Sequence, residues 1–263
     1  MFPNFTFIGR THDLYTLLGV VAIVIGATIA SFRAKKYNFN SMDIILAAVA
    51  AGIGILLGGS ALMGITQIPR IAANWEFYSS DLIHMFATMF RGMVFYGGLF
   101  GAFFGFWAYC RIFKKSYADI LRIAVPVLPL SHAIMRLGCF MAGCCHGIEH
   151  STLGIAFTRA EHSPNGIPFL PVPLYESAMN LTIFAFVWHF SKKERKPLYL
   201  LSAYLIPYAI GRFALEFLRG DAVRGMVFNL STSQFISVLI VSGCAVALIA
   251  DRFLRKASLI KKG

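Results

Sequence analysis

The chain has 263 residues, 57% of them hydrophobic and only 14% charged, with a mean hydropathy of +0.68; soluble domains carry about 25% charged residues. These values exclude a soluble globular domain and point to an integral membrane protein. The net charge of +12 is read as a topology signal that also favours anionic lipid headgroups, and binding to nucleic acid is not expected.

A helix needs about 20 residues to cross about 30 Å of hydrocarbon. Seven apolar stretches of roughly that length are predicted as transmembrane helices, at about 13–32, 42–64, 86–110, 118–141, 174–190, 198–219 and 232–250. The first lacks a basic leader and a small-residue cleavage site, and is expected to be a retained span. Basic residues cluster in alternate loops: Arg33, Lys35 and Lys36, then Arg111, Lys114 and Lys115, then Lys192, Lys193, Arg195 and Lys196, then Arg252, Arg255, Lys256, Lys261 and Lys262. Those residues are 15 of the 24 lysines and arginines. The positive-inside rule puts these loops in the cytoplasm, so the N-terminus is expected outside and the C-terminus inside. The predicted fold is an all-α polytopic membrane protein forming a single transmembrane domain over residues 1–263.

The third stretch carries Gly97, Gly101 and Gly105 at four-residue spacing, with Gly98 behind Tyr96. Small residues at that interval let helix backbones approach closely, which accounts for Gly101 and Gly105. Gly97 and Gly98 admit a second reading, as exposed backbone amides that meet a headgroup. The fourth stretch ends in RLGCFMAGCCHG, which sets Arg136, Cys139, Cys144, Cys145 and His146 within residues 136–147. Its C-x4-C-C-H spacing matches none of the common zinc patterns, so no metal and no cofactor is assigned. A disulfide from Cys139 to one of the pair, a thiol activated beside Arg136, and plain packing stay open as readings. Cys110 and Cys244 fall inside spans, as core residues do. The segment 148–173, with prolines at 164, 168, 171 and 173, cannot be one continuous helix. It is expected to be an extracytoplasmic loop able to cap a cavity.

Ionisable side chains at membrane depth cost about 2.5–3.5 kcal/mol each on the translocon scale, so they usually face a cavity and act there. Arg91, Arg136, Arg212, Glu216 and Arg219 are such residues. Spacing of i, i+4, i+7 puts Arg212, Glu216 and Arg219 on one helical face. One carboxylate between two guanidiniums leaves positive charge in surplus. Such a set is either a packing ladder or a phosphate site, since the arginine fork matches phosphate oxygens.

YGGLFG, RLGCFMAGCCHG, PLYES, GRFALEFLRGD and STSQ, in this order over residues 80–250, together resemble the ordered motifs of the bacterial prolipoprotein diacylglyceryl transferases. Arg136, Gly138, Phe140 and Gly147 match the family's arginine motif; Leu174, Tyr175 and Glu176 match its Gln-Leu-Tyr-Glu. Arg212, Glu216, Phe217, Arg219 and Asp221 match a further run, and Ser233 and Gln234 its Ser-Gln. Where the family motif has two Asn and a Glu, this chain has Cys139, Ala142 and Cys144; where the family has His-Gly-Gly, it has Tyr96, Gly97 and Gly98.

The resemblance implies transfer of a diacylglyceryl group from phosphatidylglycerol, or another anionic phospholipid, to the cysteine thiol of a lipobox-containing preprotein or a related thiol acceptor. It implies a multi-pass protein of the bacterial cytoplasmic membrane. Arg136 and Arg212 are assigned to phosphate binding and leaving-group stabilisation, with Glu216 orienting them. Tyr96 is a donor to a phosphate oxygen and Cys144 a nucleophile or proton carrier. Gly97, Gly98, Gly138, Gly147, Tyr175 and Arg219 are assigned to substrate binding. The competing readings are a thiol-redox or metal-dependent protein centred on Cys139, Cys144 and Cys145, and a non-catalytic lipid binder.

Overall fold

The protein is described here from a computed structural model, which describes residues 4–7, 10–90, 95–160, 163–220 and 226–260. A hairpin of β1 (Asn4–Phe7) and β2 (Arg10–Asp13) leads into α1 (Leu14–Lys36). The Asp13 carboxylate accepts from Tyr15 N and Thr16 Oγ1, both at 3.0 Å, satisfying donors that the first turn leaves open. The helix ends on Arg33, Lys35 and Lys36, cations that suit the negative end of its dipole. Next come α2 (Ser41–Ala73), α3 (Trp75–Ser80), α4 (Leu82–Phe90), α5 (Phe95–Ile112), α6 (Tyr117–Ala124), a 3-10 turn and α7 (Leu128–Met141). A small hairpin, β3 (Ile155–Ala156) and β4 (Pro168–Phe169), precedes α8 (Val172–Phe190) and α9 (Pro197–Glu216). A second, β5 (Met226–Val227) and β6 (Leu230–Ser231), precedes α10 (Thr232–Ile260).

Five helical runs are long and apolar enough to cross a bilayer: Leu14–Lys36, Ser41–Ala73, Tyr117–Met141, Pro197–Glu216 and Thr232–Arg255. The chain is therefore a predominantly helical, multi-pass membrane protein. Where one helix is predicted over 86–110, the structure has α4 and α5. Residues 91–94, Arg91 among them, and Asp221 lie outside the described residues, as does the side chain of Tyr96. The second helix runs on to Ala73, past the predicted end at 64, through Pro69.

The chain divides into two compact units, residues 31–120 and residues 1–30 with 121–263. In the first, α2 and α5 meet along a seam of small residues. A Cβ added to Gly101 would run into the Gly54 carbonyl, one on Gly97 into the Gly58 carbonyl, and one on Gly105 into the Ala50 carbonyl. Only hydrogen side chains allow these backbones so close, and in lipid that contact is what drives helices together. The seam is closed at one end by a buried carboxylate. Asp43 accepts from Tyr109 Oη at 2.7 Å and pairs with Lys115 Nζ at 2.7 Å. Cys110 is buried nearby in sequence, while Cys244 of the other unit is half-exposed.

In the second unit, polar ties to backbone carbonyls knit α1, α7 and α8. Ser131 Oγ donates to Ala22 O at 3.0 Å and Ser177 Oγ to Ala133 O at 2.9 Å. Of the segment 148–173, Val172 and Pro173 already belong to α8, and the rest is built around β3 and β4, which pair antiparallel. Buried Phe157 stands edge-on to Phe140, and the Asn165 side chain clasps both backbone groups of Ala160. A loop this long holds its shape through such local contacts.

The glycine seam carries a stability prediction. Gly101→Val places a carbon bearing two methyl groups against backbone that cannot yield, and overpacking of this kind costs about 1–3 kcal/mol. Thermal unfolding of the detergent-purified variant is expected to begin at lower temperature than that of Gly52→Val, where a Cβ meets nothing within 4 Å.

Candidate functional site

The site forms within the unit of residues 1–30 and 121–263, from α7, α8, the end of α9 and the start of α10. Its centre is Glu176, in the second turn of α8 and fully buried. Its own helix has no cation three or four residues away: Val172, Pro173, Met179 and Asn180 occupy those positions. Its partners come from elsewhere. Arg136 Nε of α7 lies 2.5 Å from Glu176 Oε2, Arg212 Nη1 of α9 3.2 Å from Oε1, and Arg219 Nη1 3.4 Å from Oε1. A second carboxylate, Glu216, sits one turn from Arg212 at 2.6 Å. Three guanidiniums face two carboxylates, and the site keeps a surplus positive charge.

Each arginine is also held from outside this ion cluster. Arg212 Nη2 donates to Ser233 Oγ of α10 at 2.9 Å. Ser233 is placed by a reciprocal cap on α10: the Ser231 backbone N–H donates to Gln234 Oε1 at 3.0 Å, and Gln234 N–H to Ser231 Oγ at 3.2 Å. The STSQ stretch is thus a capping box. Arg136 Nε donates to His132 Nε2 at 3.4 Å. That nitrogen must then be the acceptor, so Nδ1 carries the imidazole proton and donates to Tyr204 Oη at 3.0 Å. Arg212 Nη1, although buried and within ion-pair range of Glu176, has no acceptor in hydrogen-bond geometry among the described residues. Its ion pair with Glu176 is thus made without a well-aligned hydrogen bond, which leaves this donor able to turn to another acceptor.

Arg219 lies beyond the last residue of α9, yet a strand-like junction returns it to the cluster. Gly147 forms a β-bridge with Arg219, Gly147 N–H donates to Leu170 O at 2.8 Å, and Ile148 N–H to Leu218 O at 2.9 Å. A Cβ at Gly147 would lie 2.6 Å from Leu218 O and 2.7 Å from Leu170 Cβ. Gly147 therefore threads between two chain segments. Gly138 is a contact point for α1, where a Cβ would meet Tyr15 and Leu18. Tyr175 is exposed beside Glu176 in sequence.

The three cysteines converge at the end of α7. The helix stops at Met141, Gly143 turns the chain at φ +70°, and Cys145 follows at φ +61°. Cys144 N–H donates to Cys139 O at 3.1 Å and Cys144 Sγ–H to the same oxygen at 3.4 Å. The sulfurs of Cys139, Cys144 and Cys145 all lie within 4.8 Å of one another, as free thiols. Arg136 Nη1 donates to Cys139 Sγ at 3.9 Å. Hydrogen bonds from Cys139 and Cys144, with the Arg219 cation, hold the Cys145 thiol far below the ordinary thiol range against the upward pull of burial. The same hydrogen bonding to Cys139 and Cys145, with burial, pushes Cys144 up. His146 is buried with its ring on Phe169, centroids 4.2 Å apart, and its Nδ1 3.0 Å from Gly147 O.

Comparisons of sequence with known proteins bear on this geometry. The family model described as prolipoprotein diacylglyceryl transferase matches residues 4–250. The chain belongs to this family. It is 35% identical over 238 residues, 90% of either chain, to a phosphatidylglycerol–prolipoprotein diacylglyceryl transferase of Clostridium tetani. It is 34% identical over 213 residues, 80% of either chain, to transferase 2 of the same description from Clostridium perfringens. A Dehalococcoides mccartyi relative of that description is 28% identical over 238 residues, 89% of this chain and 85% of its own.

Of the site residues expected in this diacylglyceryl transferase family member, the fold brings together Arg136, Arg212, Glu216, Arg219 and Cys144, with Gly138 and Gly147 as the close contacts that position them. Gly97 and Gly98 stand in the other unit, where Gly97 packs on Gly58 and Leu62 of α2 and Gly98 on Ile55. Expected to orient the arginines, Glu216 pairs with Arg212, whereas Glu176 pairs with all three arginines. Sequence reasoning named Glu176 only as part of a motif, and missed it as the charge centre. The available signal was a carboxylate in an apolar helix with no cation on its own face. The supports His132 and Tyr204 carried no such mark.

Two outcomes are expected. Glu176→Ala leaves three buried guanidiniums short of a counter-charge, and breaking a buried pair costs about 3–5 kcal/mol; thermal unfolding should show a loss larger than for Glu216→Ala. For Cys145, a lowered pKa keeps thiolate present below pH 8.5, the ordinary thiol value. In reduced protein its alkylation rate should stay nearly flat from about pH 6 to 8, where an ordinary thiol gains about tenfold per unit. Peptide mapping by mass spectrometry resolves it from Cys144.

Proposed function

We propose that this protein transfers the diacylglyceryl group of phosphatidylglycerol to the cysteine thiol of a prolipoprotein, the activity that its relatives' descriptions state. The observation that carries the reading is the arginine set around Glu176, with its surplus charge and its open donor on Arg212. In the reaction, the thiolate sulfur of the acceptor attacks the glyceryl carbon that bears the phosphate ester. A C–S bond forms, the C–O bond breaks, and its electron pair leaves with glycerol phosphate. The phosphate goes from one negative charge towards two as this happens. Preorganised cations in a water-poor site stabilise that developing charge, and removing one such donor typically costs 10²–10³ in rate. Arg212 Nη1 and the Arg136 guanidinium are assigned to the phosphate oxygens. Glu176 holds the arginines apart and oriented, and His132 and Ser233 fix their rotamers.

The same reading has α5 and α8, of 18 and 19 residues, complete seven crossings, with the N-terminus outside and the C-terminus in the cytoplasm, in a bacterial inner membrane. The basic loops support this direction. The arginine site then opens at the outer leaflet, beneath segment 148–173, where a secreted preprotein presents its cysteine. A thiol oxidoreductase would centre on the cysteines alone and leave the buried arginine set without a task. A non-catalytic lipid binder would use the same arginine set but form no product.

A transfer assay tests the reading. Phosphatidylglycerol and a lipobox peptide are supplied to the purified protein in bilayers, and the peptide is read by mass spectrometry. Diacylglyceryl peptide is expected, with rates about 10²–10³-fold lower for Arg136→Ala and Arg212→Ala, and no rescue by Arg136→Lys because an ammonium lacks the fork. Peptide added outside intact spheroplasts should also be modified. Absence of thioether product with every anionic phospholipid tried would overturn the reading, and arginine-independent product would overturn the site assignment.

A further inference from the structure

The spacing C-x4-C-C matches no common zinc pattern, yet the fold closes the three sulfurs of Cys139, Cys144 and Cys145 to within 4.8 Å of one another. Three sulfurs bound to one ion at about 2.3 Å stand about 3.8–4.0 Å apart, in tetrahedral or trigonal geometry. The observed triangle therefore needs a contraction of less than about one ångström to become a first coordination sphere. Its backbone is built for convergence: Cys145 holds a left-handed φ of +61°, a conformation that a non-glycine side chain adopts only where its surroundings compel it. Without that turn, neighbouring side chains in an extended chain would point to opposite sides. Three thiolates around a divalent ion leave one negative charge, and two cations are at hand. Arg136 Nη1 lies 3.9 Å from Cys139 Sγ, and Arg219 reaches Cys145. Cys139 is buried, while Cys144 and Cys145 are half-buried, so the cluster has one open side.

We propose that Cys139, Cys144 and Cys145 form a three-thiolate site for Zn²⁺, with its fourth position open to an incoming thiol. Soft thiolate ligands select zinc among abundant divalent ions, and three protein ligands with one open position is the arrangement of zinc sites that do chemistry. The occupant of the fourth position rests on the transferase reading above: it is the acceptor cysteine. Coordination deprotonates a thiol outright. The proton passes to water, and the zinc-bound sulfur attacks the glyceryl carbon while the phosphate leaves on Arg136 and Arg212. The contact between Arg136 and Cys139 sets the sulfur cluster next to the arginine set, so a glyceryl carbon bound between them meets the sulfur on the side opposite the departing phosphate oxygen.

The test uses the full-length protein in detergent, reduced, loaded with Zn²⁺ alone and desalted. One zinc per chain is expected, with X-ray absorption showing three sulfurs at about 2.3 Å, a count that becomes four when the acceptor peptide is added. Cys144→Ser and Cys145→Ser should lose the ion while Arg136→Ala keeps it, which separates the metal site from the phosphate site. Removing zinc should slow transfer at least about 100-fold, the scale of losing a proton acceptor, and re-addition should restore it. Failure to retain zinc by protein whose three thiols titrate and whose unfolding is native overturns the site, as does equal retention by both Ser variants. A sulfur count that stays at three with peptide bound, or transfer undiminished by chelation, overturns the role in thiol activation. Zinc on three sulfurs with a fourth from the peptide, but no lipid transfer, supports the site and defeats the transferase reading instead.

Discussion

The buried carboxylate of Glu176 is the interaction on which the rest of the site depends. Three arginines from three stretches of chain meet at its two oxygens, in a place where each charge alone would be costly to hold. Without that carboxylate, the guanidiniums repel each other and the charged tie that draws the ends of α7 and α9 to α8 is lost. With it, the cluster is neutralised only in part, because three guanidiniums face two carboxylates. The atoms that hold the fold together here are the same ones that carry the surplus charge.

Around this centre the protein uses two different kinds of support. Imidazole, hydroxyl and cap contacts position the arginines: His132 on Arg136, Ser233 on Arg212, and the Ser231–Gln234 capping box beneath Ser233. Backbone threading positions Arg219, through the bridge to Gly147 and its bonds to Leu170 and Leu218. The cysteine turn hangs on the same Gly147 junction, only two residues away. The arginine set and the sulfur cluster both draw on one short stretch, 136–147, and share the Arg136 side chain.

In the other unit the physics is different. Along most of their length, Gly54, Gly58, Gly97 and Gly101 let the backbones of α2 and α5 touch, and dispersion across that seam replaces a hydrophobic effect that lipid does not supply. The Asp43, Tyr109 and Lys115 contact closes one end of it. Glycines that a motif reading assigns to a headgroup are, in the fold, contact points of this seam.

By itself the sequence determined the class of molecule, a helical multi-pass membrane protein, because hydropathy acts over whole segments and needs no tertiary partner. It also marked Arg136, Arg212, Glu216 and Arg219, since charge in an apolar run is visible without a fold. The helix face shared by Arg212 and Glu216 was legible from a period of 3.6 residues. That Arg219 lies past the end of α9, and reaches the cluster through a β-bridge, was not. Only the tertiary structure decided that Glu176 is the hub, that His132 and Ser233 are the supports, and that three cysteines with no recognisable ligand spacing form one cluster. These depend on side chains far apart in the chain meeting at short range, or on a left-handed turn at Cys145 that residue type does not announce. Local periodicity carries no record of either.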